Sequence, residues 1–115
     1  MENPVLQNII NRRSIIRFDS YQIKKEELDA ILEAGRWAPS FANIQPWKFV
    51  VVQDDSTKKQ LGDIAGKITV SDKGVVEASA IIAVCVNPTE DSHHYIEAGA
   101  VAAHNICLAA QSIGL

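Results

Sequence analysis

One uninterrupted apolar run, Ala80–Val86, restricts the fold more than any other feature of the sequence. A strand with one face in water alternates apolar and polar residues, whereas a short continuous apolar run is typical of a strand covered on both faces. Trp47–Val52 is rich in aromatic and β-branched residues and predicts a second strand of the same kind. Two such strands do not make a stable sheet alone. Either residues 15–22 and 66–74 contain further strands, or the flanking strands lie outside this chain.

Helical spacing of apolar residues predicts four helices around these strands. The second helix must end before Pro39, because the residue that precedes a proline avoids the α conformation. Residues 66–74 carry no clear pattern and are not assigned. The predicted helices run from Asn3-Pro4 to about Arg13, from near Lys24, from a Ser56 cap through Ile64, and from Ser92 over about twenty residues.

The composition is typical of one globular domain. A chain of 115 residues with 47% hydrophobic and 22% charged residues excludes a disordered protein and predicts a single core. A net charge of −3 argues against nucleic-acid binding, and no apolar run approaches the ~18–20 residues of a membrane span. The start of the chain lacks the basic region of a secretory signal. Cys85 and Cys107 are interpreted as reduced core residues, which fits a cytoplasmic protein.

A cluster of cations, Arg12-Arg13-Ser14, follows the first predicted helix. Two guanidinium groups and a hydroxyl suit a terminal phosphate better than a single carboxylate. Two neighbouring arginines need not face the same way, so a solvated turn is the alternative. The tripeptide alone favours that turn.

A stiff polar loop lies between the second helix and the first strand. Pro39 and Pro46 fix the backbone, while Ser40, Asn43 and Gln45 can each donate and accept hydrogen bonds. Such a loop suits a planar heteroaromatic ligand whose edge carries carbonyls and ring nitrogens. A turn whose polar side chains satisfy their own backbone explains the same residues equally well.

A metal site built from His93, His94, Glu97 and His104 is not expected. Although three of these side chains share one face of the last helix, Glu97 and His104 are separated by about 10 Å along its axis. Two ligands make a poor site, since metal-bound histidine and carboxylate atoms lie ~2 Å from the ion. His93 and His94 are interpreted as the exposed start of a helix, and His104 as an interior or interface residue.

The two polar segments, taken in order, resemble the N-terminal portion of the nitroreductase family of FMN-dependent oxidoreductases. The long central strand and helix of that family also have counterparts here. The matching residues are Arg12-Arg13-Ser14-Ile15 with Phe18, Leu28 with Ile31-Leu32, Ala38-Pro39-Ser40 with Asn43 and Gln45-Pro46-Trp47 through Val52, Ala78-Ser79-Ala80 with the strand after it, and Glu97–Ala110 with Ile113-Gly114-Leu115.

This resemblance implies an α+β fold, a three-layer α-β-α sandwich with a central, mostly antiparallel sheet whose C-terminal strands are lacking. Residues 1–115 would form a single FMN-binding domain that is incomplete at its C-terminus. The implied activity passes a hydride from NADH or NADPH through the flavin to a nitroaromatic, quinone or similar acceptor. No catalytic side-chain nucleophile is expected, because the flavin carries the chemistry.

The resemblance also assigns roles to seven residues. Arg12, Arg13 and Ser14 would hold the FMN phosphate and ribityl end. Pro39 and Ser40 would contact the flavin ring from the neighbouring subunit of a homodimer, so the site would lie at the subunit interface. Asn43 and Gln45 would face the flavin or the substrate.

One position departs from the family pattern, and two other functions remain open. Ile16 stands where the family usually has a basic residue near the flavin N1, and the arginine is displaced to Arg17. A lower flavin potential is therefore expected unless Arg17 or another group compensates. The chain could instead be a catalytically inactive, truncated family member that serves as a dimerisation or weak flavin-binding module. It could also be a phosphate-binding regulatory module that uses the arginine cluster alone. Whether Lys67, Ser71 or Lys73 touches the cofactor cannot be inferred from the sequence.

Overall fold

The computed structural model describes residues 2–68 and 72–115, and its elements are helices and a small sheet. This mixture confirms the expected α+β class. Ser71, whose role was left open, lies outside the described residues. The elements are α1 (Pro4–Asn11), α2 (Lys25–Arg36), a 3₁₀ turn (Phe41–Asn43), β1 (Trp47–Val52), α3 (Asp55–Ala65), α4 (Asp72–Glu77), β2 (Ile81–Val86) and α5 (Tyr95–Ser112).

The strands β1 and β2 pair with each other in a two-stranded antiparallel sheet. Just beyond the strands, the Asn87 N–H donates to the Pro46 carbonyl at 2.8 Å. This bond sets Pro46 opposite Asn87, and therefore Lys48 opposite Cys85. The range predicted for β1 is confirmed, and β2 begins one residue later than predicted.

The expectation that both strands are covered on both faces is wrong for the described chain. No residue of β1 or β2 is fully buried, and Cys85 is exposed. The reason is that α5 covers one face of β2, where a Cβ added at Gly99 would lie 2.6 Å from Val86 Cγ1, whereas Cys85 alternates to the other face. Cys107 and His104 are exposed too, so neither is a core residue in this chain.

Neither segment suggested for extra strands forms one among the described residues. Residues 15–22 have no ladder partner, and the described part of 66–74 contains a turn and the start of α4. The helix α4 is only six residues long, too short for a periodic pattern to reveal it.

The chain divides into two compact units. The first contains the residues up to Arg13, Lys24–Phe49 and Val84–Leu115. Its core lies between α2 and α5, where a Cβ added at Gly35 would meet Ile106 Cγ1 at 2.8 Å and Phe49 Cζ at 2.9 Å. A hydrogen bond from Asn105 Nδ2 to the Ala34 carbonyl at 3.1 Å joins α5 to α2. A second, from Asn8 Nδ2 to the Leu108 carbonyl at 2.9 Å, joins α1 to α5.

The second unit contains Ser14–Ile23 and Val50–Ala83, and α3 packs against α4 within it. The buried Lys58 donates to the Ala78 carbonyl at 3.0 Å, just past the end of α4. A Cβ added at Gly74 in α4 would lie 2.4 Å from the Ile16 carbonyl oxygen. The expectation that residues 1–115 form a single domain remains a prediction.

Two predicted helix starts are wrong, and aspartate side chains explain both. Asp54, rather than Ser56, caps α3: its carboxylate accepts the Thr57 N–H at 2.8 Å, and the Ser56 hydroxyl also donates to it. At α5, the Asp91 carboxylate accepts the backbone N–H groups of the next residues and forms a turn, so the helix begins at Tyr95 instead of Ser92.

Candidate functional site

Hydrogen bonds within the loop after α2 bring three of the predicted residues together. The Ser40 hydroxyl oxygen accepts the Gln45 N–H at 2.9 Å, and the Ser40 carbonyl accepts the Asn43 N–H at 3.1 Å. The Gln45 Nε2 donates to Asn43 Oδ1 at 2.9 Å. Polar side chains of the loop therefore satisfy some of its own backbone hydrogen bonds, as the alternative interpretation proposed. Other polar groups of the loop remain available to a ligand.

The same loop holds an unusual backbone. Ala42, Asn43 and Gln45 have φ angles of 48°, 56° and 56°, in the left-handed region that residues with a Cβ rarely adopt. Gln45 also precedes Pro46, and a residue before proline prefers an extended conformation. Each such residue costs on the order of 1–3 kcal/mol and persists only where the surrounding structure imposes it. Strain of this kind is common at binding sites, which favours a functional role for this loop.

The loop presents both polar and aromatic groups outward. Beyond the bonds described, the Ser40 hydroxyl can still donate, Asn43 Nδ2 can donate and Gln45 Oε1 can accept. Phe41 is 59% exposed beside them. A surface with an aromatic face and alternating donors and acceptors can hold a planar ring that has a polar edge.

Trp37 is a residue of this region that sequence reasoning missed. Its side chain is 79% exposed, although its Nε1 donates to Glu33 Oε1 at 2.9 Å. The Arg36 guanidinium donates to the other oxygen of Glu33, and these two hydrogen bonds lower the pKa of Glu33. The indole is thus held in an exposed position at the end of α2, two residues before Pro39, which is also exposed.

The arginine cluster lies at the C-terminal end of α1. The Arg13 guanidinium donates to the Ile10 carbonyl at 2.8 Å and to the Arg12 carbonyl at 3.0 Å, so part of its donor set caps the helix. Arg12 is half-buried, and its guanidinium makes no hydrogen bond or ion pair with any described residue. Ser14 is exposed. The Arg12 guanidinium is available to an anion, whereas Nη1 of Arg13 is already bonded to two backbone carbonyls.

Arg17 is held elsewhere, by α4. Its guanidinium forms a bidentate ion pair with Glu77, with a shortest N–O distance of 2.6 Å, and the Phe18 N–H donates to the same carboxylate. These contacts lower the pKa of Glu77, chiefly through the hydrogen bonds from Arg17. Because Glu77 neutralises Arg17, that arginine is poorly suited to replace the cation missing at Ile16.

No hydrogen bond or ion pair among the described residues joins Arg12 or Arg13 to the loop at residues 38–47. Within residues 2–68 and 72–115, no three His, Cys, Asp or Glu side chains come together in a way that could hold a metal ion. None of the helices in the same ranges is long and apolar enough to span a membrane.

Comparison with known proteins identifies the family. The model of the nitroreductase family matches residues 9–81. A protein of Archaeoglobus fulgidus is 35% identical over 115 residues, which is 96% of this chain and 63% of that protein. The oxygen-insensitive NADPH nitroreductase of Helicobacter pylori is 38% identical over 95 residues, or 79% of this chain and 44% of that protein.

Solved structures agree with the sequence matches. A nitroreductase with bound FMN from Bacteroides fragilis superposes with a TM-score of 0.82 at 31% identity, covering 98% of this chain and 67% of that one. This likeness confirms the expected α+β fold. The chain spans less than two thirds of the length of the first curated relatives that it matches.

Proposed function

Because the chain belongs to the nitroreductase family, we propose that it carries flavin-contacting residues of an FMN-dependent oxidoreductase. The reaction would move a hydride from NADH or NADPH to a nitroaromatic, quinone or similar acceptor. Bound FMN would supply the two-electron chemistry, and the protein would supply binding, orientation and electrostatics. A cytoplasmic location is part of the same proposal.

The residues at the end of α1 would hold the phosphate. Arg12 has an unpartnered guanidinium, and a charge-assisted hydrogen bond from it to a phosphate oxygen is stronger than a neutral one. The exposed Ser14 hydroxyl would donate to the phosphate or the ribityl chain. Arg13 would add its remaining N–H groups and its charge, since part of its guanidinium already caps α1.

The loop after α2 would contact the flavin ring. Its strained, hydrogen-bonded backbone is the observation that carries the proposal, because it fixes Ser40, Asn43 and Gln45 before any ligand arrives. Their remaining donors and acceptor match a ring edge that alternates carbonyls and nitrogens. Pro39 and Ser40 would meet the flavin of a second subunit in a homodimer, and the exposed side chain of Trp37 offers apolar area for that interface.

FMN binding is the first test. Titrating FMN into the purified chain and following the quenching of flavin fluorescence gives a dissociation constant. We expect Arg12→Ala to weaken binding by about ten- to a hundredfold, as for a hydrogen bond to a charged group, and Asn43→Ala by about two- to tenfold. Gln60→Ala, an exposed residue of α3, is the matched control and should leave binding unchanged.

Three outcomes separate the candidate functions. Failure of the chain to take up FMN would refute the flavin site. If Arg12→Ala abolished binding while Ser40→Ala and Asn43→Ala had no effect, the phosphate-binding module would be favoured. FMN uptake without NADH- or NADPH-dependent reduction of a quinone would favour the inactive dimerisation or flavin-binding module. The helix α1, which has no fully buried residue, also suits that module.

A further inference from the structure

Asp91, between β2 and α5, is a buried acid that the proposed flavin site does not use. It is 5% exposed. Its Oδ1 accepts the His93 N–H at 3.2 Å and the His94 N–H at 3.0 Å, and it lies 3.3 Å from Nδ1 of the His94 ring. Its Oδ2 is buried and has no partner among the described residues. The carboxylate is therefore well placed to hold the His94 ring.

Asp91 keeps its charge despite its burial. Burial raises the pKa of a carboxyl group, but the hydrogen bonds from the backbone of His94 and His93 and from the His94 ring outweigh it, so that the pKa of Asp91 is lowered. An ionised acceptor makes a stronger hydrogen bond than a neutral one. This strengthens the hold of Asp91 on the imidazole.

The His94 ring connects Asp91 to the loop after α2. It stacks on Phe41, with ring centroids 4.4 Å apart and planes inclined by 28°. Phe41 begins the 3₁₀ turn that leads into Asn43 and Gln45, and its carbonyl accepts the Ile44 N–H at 3.0 Å. The neighbouring His93 meets the His94 ring edge-on at 6.1 Å and is itself exposed.

We propose that His94, held by Asp91, is a positioning residue that keeps the loop Phe41–Gln45 in its binding conformation by stacking on Phe41. The inference rests on the proposed function for its purpose but not for its geometry. Ala42, Asn43 and Gln45 are in left-handed conformations that a short segment does not hold unaided. The stack supplies an external contact at the first residue of that segment.

The first experiment needs no flavin. Backbone amide hydrogen exchange of Asn43, Ile44 and Gln45 reports how often the loop opens. Since a stacked aromatic pair contributes about 0.5–1.5 kcal/mol, which corresponds to about two- to tenfold, His94→Ala should speed exchange by that factor. His94→Phe restores a stacking ring and should bring exchange back to within about twofold of the unmodified chain. His93→Ala, the matched control, should not change it.

The second experiment measures FMN affinity and the visible absorption spectrum of bound FMN in the same variants. We expect His94→Ala to weaken binding and alter the spectrum, and His94→Phe to restore both. The effects of His94→Ala and Phe41→Ala should be non-additive, because both remove one contact. Unchanged exchange in His94→Ala, or an equal change in His93→Ala, would overturn the inference. If hydrogen exchange responds as expected but the chain binds no FMN, the role of His94 in holding the loop is supported and the proposed flavin function is refuted.

Discussion

Gly74→Ala should detach the segment after Ser14 from α4. A Cβ at this position would lie 2.4 Å from the Ile16 carbonyl oxygen and 3.1 Å from its carbonyl carbon. Ordinary contact begins near 3.4 Å, so the oxygen and the Cβ must separate by about 1 Å. That oxygen belongs to the backbone and cannot rotate away, and the next residues, Arg17 and Phe18, are tied to Glu77 by hydrogen bonds.

Two opposing effects set the size of the change. Overpacking costs typically about 1–3 kcal/mol. Alanine is better than glycine inside a helix by about 1 kcal/mol, which offsets part of this cost. Because the clash is with the Ile16 backbone, its cost falls in the upper half of that range, about 2–3 kcal/mol. After the offset, we expect Gly74→Ala to lower the free energy of unfolding by about 1–2 kcal/mol. FMN should also bind more weakly, because Ser14 lies two residues before Ile16.

Urea unfolding followed by circular dichroism measures the stability change, and FMN titration measures the functional one. Gly35→Ala is the matched control: its new Cβ would also lie closer than 3.0 Å to its neighbours, but these are side-chain atoms of Ile106 and Phe49, which can shift more readily than backbone atoms. Its destabilisation should therefore be smaller. A Gly74→Ala chain as stable as the unmodified one, or more so, would show that the Ile16 backbone shifts freely and that this contact does not restrain the segment.

Two further predictions concern buried charged groups. Lys58→Met leaves the Ala78 carbonyl without its donor and should lower the free energy of unfolding in urea by about 1–3 kcal/mol. Lys59→Met, at an exposed position of the same helix, is the control and should change it by no more than about 0.5 kcal/mol. Equal effects of the two substitutions would contradict a role for the Lys58 hydrogen bond. Because the pKa of Asp91 is lower in the folded chain than its usual value near 3.8, Asp91 binds fewer protons when folded, so its stabilising contribution is present above about pH 4 and is lost as the pH falls through the folded pKa. The difference in unfolding free energy between the unmodified chain and Asp91→Asn should accordingly shrink between pH 5 and pH 3, and a constant difference would show that ionisation of Asp91 is not responsible.

The elements with strong local patterns could be predicted from the sequence. The range of β1 was correct because an aromatic and β-branched run has few other ways to fold. The helix α4 was missed, since its stability depends on α3, on Lys58 and on the Arg17–Glu77 pair rather than on periodicity within six residues.

Some features of the candidate site could likewise be predicted from the sequence, and others could not. The polar residues of the loop were recognised from their chemistry, but the left-handed conformations of Ala42 and Gln45 have no signal in residue types that normally avoid them. The stack of Phe41 on His94 joins residues far apart in the chain, so no local sequence pattern predicts it. The exposure of Cys85 depends on which faces of β2 other elements cover, which a single run of apolar residues does not reveal.

The close packing of other side chains against Gly35 also limits which substitutions this sequence can accept. Because Ile106 Cγ1 and Phe49 Cζ occupy the space that a side chain would need, alanine at position 35 requires these side chains to shift, and a larger residue requires one of them to become smaller. A smaller residue at position 106 or 49 alone would leave a cavity until position 35 fills it. Either order of substitution passes through a less stable intermediate. Positions 35, 49 and 106 are therefore expected to vary together among related sequences.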